Sequence, residues 1–234
     1  MRTCRISQSP QAGIMAKQAV PPTTESASRP VAADPRGRKF GQVLDAARDE
    51  LLLNSFDRAS MDAVAARAGV SKATIYAYFK SKEDMFQAVV LDEVNRLRQG
   101  IEAIGSGSKR SLTSKLREVG VHLLRVWLSP RTLPLLRILI AEVDRFEEFA
   151  RAAHRATKEQ VICATAQMLD AGVRDGEIVC RDTKKAADLF MCLVGADHML
   201  TALLDPGKTL PCEDFEAHAK WAVEVFLRVY DPRG

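Results

Sequence analysis

From Arg36 to the C-terminus, large apolar residues recur every three to four positions, and after Pro35 no stretch alternates apolar with polar residues long enough to form a strand. The pattern predicts an all-α protein. A first helix is expected from about Phe40 to Leu53, with Phe40, Val43, Leu44, Ala47, Leu51 and Leu52 along one face. Two short helices follow, Met61 to Ala68 and Lys72 to Phe79, separated by Gly69 and Val70. Ser81 is placed to cap a long fourth helix, with Glu83 and Asp84 in its first turn, where carboxylates suit the helix dipole. Its stripe is Met85, Phe86, Val89, Val90, Val94, Leu97, Ile101 and Ile104, and it ends in the Gly-Ser stretch 105–108.

Five more helices are expected: Leu112 to Leu128, Leu133 to Asp144, Phe146 to Ala171, Thr183 to Leu204 and Asp214 to Tyr230. Ser129-Pro130, Gly172 and Asp205-Pro206-Gly207 supply breaks between them. The organisation expected is a disordered tail over 1–35, a small helical head over 36–82 and a larger helical body over 83–234. The tail is rich in Ser, Thr, Pro, Ala and Gln and has too little apolar surface to offset the entropy of ordering. Met15 offers a second start, which would leave residues 1–14 outside the native protein.

Composition changes this picture little. With 47% hydrophobic and 27% charged residues among 234, the chain has an ordinary globular make-up, and a net charge of +4 permits a nucleic-acid partner without demanding one. Cys4, Cys163, Cys180, Cys192 and Cys212 are widely spaced and contain no Cys-x-x-Cys, so neither a disulfide framework nor a zinc module is suggested. No apolar run reaches a membrane-spanning length and no secretory apolar segment opens the chain. A cytoplasmic protein without a membrane partner is expected.

The segment MDAVAARAGVSKATIYAYFK, Met61 to Lys80, meets the demands of a helix-turn-helix. Ala65 is small where two helices cross, Gly69 tolerates the positive φ that ends the first, and Val64, Ala68, Val70, Ile75 and Phe79 can close a core. Ser71 can cap the second short helix and, with its backbone donors, face a phosphate. Lys72, Ala73 and Thr74 are the base-reading candidates: a donor for guanine, room for close approach, and a hydroxyl with a methyl for thymine. Ser60, Tyr76, Tyr78 and Lys82 are the phosphate candidates. Taken singly, the tyrosines read better as packing residues and Lys82 as a solvated charge; embedded in this segment, the DNA-contacting reading prevails. Arg36, Arg38 and Lys39 form a basic stretch suited to a minor groove or simply to solvation.

The stretch SMDAVAARAGVSKATIYAYFKSKEDMF, Ser60 to Phe86, resembles the N-terminal domain of TetR-family transcriptional regulators. The resemblance implies a homodimer with a three-helix head, a connecting helix and a larger helical C-terminal domain, acting in most members as a repressor released from DNA by a small molecule. It places the family's phosphate-contacting tyrosine at Tyr76, the following tyrosine or histidine at Tyr78 and its lysine at Lys82, while Ala77 stands where many relatives carry a larger residue. LPLLRILIAEVDRFEEFARAAH, Leu133 to His154, with the closing AVEVFLRVY, resembles the AefR-like subgroup.

The last two helices are apolar nearly all round, which predicts burial of one face in the body and the other against a second copy. Leu189, Leu193, Met199, Phe215, Val223, Phe226 and Tyr230 are the interface candidates. Among the middle helices His122, Trp127, Cys163, Met168 and His198 add polar or polarizable groups to apolar faces and are the ligand candidates, each with an ordinary packing explanation beside it. No phosphate loop, nucleophile elbow or metal-ligand spacing is present, so no enzyme, cofactor or metal is expected. The expected partners are double-stranded DNA with a pseudo-palindromic operator, a second copy of the chain and an unidentified effector. A dimeric DNA-binding protein that senses nothing, or an activator, is the alternative.

Overall fold

The computed structural model describes residues 35–106, 110–195, 197–209 and 211–231. The tail over 1–34, with Met15 and Cys4, lies outside the described residues. Ten α-helices and no strand occur among those described: α1 (Pro35–Arg58), α2 (Met61–Ala68), α3 (Lys72–Tyr78), α4 (Lys82–Ser106), α5 (Leu112–Trp127), α6 (Thr132–Ala141), α7 (Glu147–Arg174), α8 (Thr183–Gly195), α9 (His198–Leu204) and α10 (Phe215–Val229).

Most boundaries follow local chemistry. Ser60, Ser71 and Ser111 each accept a hydrogen bond from the backbone N–H three residues on, capping α2, α3 and α5. Ser81 does the same for α4 through Asp84 N–H at 3.1 Å, and the Asp84 carboxylate reaches back to the Lys80 N–H at 3.2 Å. Two expectations shift. The first helix begins at Pro35, a residue suited to an opening helical position, and continues to Arg58 through a break at Ser55, where φ is 59°. The apolar run expected as one helix over Thr183 to Leu204 is two, α8 and α9, bent by 44°.

Two cores result. The head core gathers Val43, Ala47, Leu51 and Phe56 of α1, Val64 of α2, Ile75 of α3 and Met85, Phe86 and Val89 of α4, all buried. It also takes Leu135 of α6 and Phe146, the residue before α7, so the head is not bounded at residue 82. Phe146 meets Phe56 edge-on at 5.1 Å and stands 5.1 Å from Phe86, and burial of each such ring contributes about 2 kcal/mol. The second core fills the space among the C-terminal half of α4 and α5, α7, α8 and α10.

The expected interface residues divide. Phe215, Val223 and Phe226 are at most 3% exposed and belong to the protomer's own core, so they cannot meet a partner. Leu193 and Tyr230 are half-buried against that core. The apolar residues that α8, α9 and α10 do expose are Leu189, Leu200, Leu204, Trp221 and Val229.

Candidate functional site

The helix-turn-helix comes from three capped termini. Gly69 ends α2 with φ 64° and ψ 35°, and its N–H turns back to the Ala65 and Ala66 carbonyls. Ala65, Val64, Ile75 and Phe79 are buried beneath the turn, and Ala68 and Val70 partly so. Ser71 then starts α3, accepting from Thr74 N–H at 3.1 Å with the two hydroxyls 2.9 Å apart.

This capping sets which side chains α3 presents. Ser71, Lys72, Ala73 and Tyr76 are exposed, Thr74 is half-buried and Ile75 faces inward. Lys72 is not idle: its Nζ lies 2.6 Å from Asp62 of α2, and that carboxylate holds the ammonium above the usual lysine value. Reading a base requires Lys72 to leave Asp62. Tyr76 is 55% exposed, a geometry that suits a phosphate donor. Tyr78 instead lays its ring edge-on against Phe40 at 5.2 Å, so packing occupies much of it.

Lys82 is also engaged within the chain. Its Nζ donates to the Asp57 carbonyl at 2.9 Å and stands 4.6 Å over the Phe56 ring, tying the start of α4 to the end of α1. Ser60 is exposed and its hydroxyl caps α2 at 3.1 Å. Lys39 is exposed on the opening turns of α1 and not in an extended arm; the side chains of Arg36 and Arg38 lie outside those described.

A cavity of about 520 Å³ lies in the body, walled by α4, α5, α6, α7, α8 and α9. Its surface is mostly apolar, with Leu97, Trp127, Leu136, Leu139, Met191 and Met199 among the lining residues. Of the ligand candidates only Trp127 lines it. His122 donates to the Leu97 carbonyl at 3.2 Å, Met168 is buried in the core and Cys163 is partly buried away from the cavity. His198 pairs with His218 at 3.3 Å; because His218 Nε2 faces the Leu193 and Val194 carbonyls, its Nδ1 accepts from His198. Met199, expected at the interface, lines the cavity instead.

Sequence reasoning missed the polar groups that matter most. Glu93 of α4 lines the cavity though only 8% exposed, and Arg48 of α1 is buried at 2%. Arg48 reaches Asp45 at 2.6 Å, Asp92 at 2.7 Å and Glu93 Oε1 at 2.8 Å, the last an ion pair without hydrogen-bond alignment. Arg131, just before α6, reaches the same Glu93 oxygen at 2.7 Å and Asp45 at 2.9 Å. Burial pushes the Asp45 carboxyl up, but hydrogen bonds from Arg48 and Arg131 outweigh it and hold the group below the ordinary carboxylate range. The signal was present: Arg48 follows Leu44 by four positions and Glu93 follows Val89 by four, so both charges sit on otherwise apolar stripes.

Among the described residues no group of His, Cys, Asp and Glu could hold a metal, the four cysteines are free, and no single helix is long and apolar enough to cross a membrane.

Comparison with known proteins joins the two halves. A regulator from Mesorhizobium loti, described as a TetR-family transcriptional regulator, is 27% identical over 84% of this chain and 98% of its own, with a TM-score of 0.75. The flavonoid-responsive regulator FrrA is 30% identical over 85% of this chain and 100% of its own, with a TM-score of 0.64. The transcriptional activator FasR of Mycolicibacterium smegmatis is 39% identical, but over 67 residues, which are 29% of this chain and 31% of FasR. The chain thus spans about a third of the length of that curated relative. The matched families are of regulators and not of enzymes. Residues 43–89 match the tetR family of bacterial regulatory proteins and residues 114–232 the AefR-like transcriptional repressor C-terminal domain, so the chain belongs to the TetR family, with a body of the AefR-like kind.

Proposed function

We propose that this protein is a homodimeric, sequence-specific DNA-binding repressor whose grip on its operator is released by a small apolar ligand. The observation that carries the reading is shared structure: α4 closes the head core with its first half and walls the cavity with Val90, Glu93, Val94 and Leu97. A molecule seated in the cavity therefore presses on the helix that carries the head. Lys72, Ala73 and Thr74 read bases in this scheme while Ser60, Ser71, Tyr76, Tyr78 and Lys82 hold phosphates, Lys82 by exchanging the Asp57 carbonyl for a phosphate oxygen.

The exposed Leu200, Leu204 and Trp221 support pairing of two protomers through α9 and α10. Repression is favoured over activation because the AefR-like match covers the body, whereas the match to the activator FasR is confined to about a third of the chain. The reading places the protein in the cytoplasm, with the DNA.

The test is selection of bound duplexes from a random pool at physiological salt, followed by footprinting. The expected result is a two-fold symmetric site with half-sites about 34–36 Å apart, or a multiple of that spacing. Recovery of duplexes without a shared sequence would refute it. The non-sensing alternative predicts a body that takes up no apolar molecule.

A further inference from the structure

We propose that Glu93 is the ligand-sensing group of the cavity, that it selects neutral apolar molecules bearing a hydroxyl or similar hydrogen-bond donor, and that its engagement loosens Arg48 of the head. This rests on reading the cavity as a ligand site and adds what the site recognises and how it reports.

Of the other polar groups on the wall, His154 and Cys192 are exposed to solvent and the rest are satisfied locally. Lys158 is paired with Asp188 at 2.9 Å, with both side chains more than 40% exposed. Thr157 donates to the Ala153 carbonyl at 2.7 Å and Thr132 accepts from Ser129 at 3.0 Å. Glu93 alone brings a charge to the wall from a buried position. Both guanidinium contacts fall on its Oε1. A carboxylate offers about four lone-pair sites, so it has capacity left for a donor arriving from the cavity. An anion there would meet this carboxylate at close range in apolar surroundings and be rejected.

The same carboxylate binds the two halves of the molecule together. Arg48 is on α1, Arg131 opens α6, and Glu93 lies between them on α4. A ligand hydroxyl that draws on the Glu93 charge weakens its hold on Arg48, whose Nε contact is already poorly aligned. Arg131 keeps the carboxylate paired while that happens and Arg48 keeps Asp92 and Asp45, so α1 can shift against α4 without leaving a bare buried charge.

The experiment uses the full chain and three probes on one ring system: naphthalene, 2-naphthol and naphthalene-2-carboxylate. Calorimetry with the wild type should show 2-naphthol bound about ten- to hundredfold more tightly than the carboxylate, the range of a hydrogen bond to a charged group. In E93Q this preference should fall to within about threefold, and 2-naphthol at matched occupancy should no longer weaken binding to the selected duplex as it does in the wild type. Equal or tighter binding of the carboxylate by the wild type overturns the proposal without any variant, as does an E93Q protein that keeps both preference and DNA response. If the wild type binds none of the three probes, the cavity reading falls, and this inference with it.

Discussion

Replacing Arg48 with Met removes a cation that is 2% exposed while keeping a stem of similar length in the head core. Truncating one partner of a buried ion pair costs about 3–5 kcal/mol when the other charge is left uncompensated. Here the partners are not abandoned. Asp45 is 54% exposed and keeps Arg131 at 2.9 Å, Asp92 keeps Arg96 at 2.8 Å, and Glu93, the most buried of the three, keeps Arg131 at 2.7 Å. The loss should therefore be about 2 kcal/mol, below that range. For a unit spanning Pro35–Gly234 this corresponds to about 4–8 °C in Tm. Urea unfolding of the wild type, R48M, E93Q and the double variant gives both the loss and the coupling, expected at about 1–2 kcal/mol. Additive single effects would refute the account, since Arg48 would then not be acting on Glu93. A loss of 5 kcal/mol or more would show that Arg131 does not compensate.

Four further outcomes follow from the geometry. Tyr76→Phe should weaken binding to every duplex by about three- to tenfold, the worth of one hydrogen bond, and leave the salt dependence unchanged because no charge is lost; a sequence-selective effect would make Tyr76 a base reader. Asp62→Asn frees Lys72, so affinity for random duplex should rise and the salt slope steepen by about one contact, as read by fluorescence anisotropy at several salt concentrations. Gly100→Ala places a Cβ over the His122 ring, and overpacking of about 1–3 kcal/mol should outweigh the better helix propensity of Ala; adding His122→Ala should recover much of it in thermal melts. His198 is held below the ordinary histidine value by burial and then by His218, against the pull of Asp197. Since its folded value is depressed, stability is full above about pH 6.5 and declines as pH falls through that value, so His198→Gln should flatten melts between pH 7 and 5.

What could be read in advance was what neighbours in sequence decide. Ser60, Gly69, Ser71 and Ser81 act on backbone groups three or four residues away, so the helix-turn-helix and the start of α4 followed from spacing alone. Burial of apolar faces could not be apportioned that way. The apolar stripes of α9 and α10 were visible, yet nothing in their period says that Phe215, Val223 and Phe226 face inward while Leu200 and Trp221 face out. The cavity is a mismatch in packing among six helices, so His122 and Met168 looked as suitable as Trp127. Lys82 looked like a free cation because its partner, the Asp57 carbonyl, is backbone and 25 residues away.

The pairing of Lys72 with Asp62 bears on how fast a target is found. With Lys72 as the base reader proposed above, on a duplex that offers no guanine acceptors at the right place the lysine gains little by leaving a carboxylate 2.6 Å away, so the head would travel along phosphates with that group stowed. Stopping then requires a base that out-competes Asp62. A protein whose reader is parked in this way should diffuse along non-cognate DNA with less friction than one whose lysine is always extended, and single-molecule tracking of Asp62→Asn beside the wild type, where the variant should move more slowly, measures that difference.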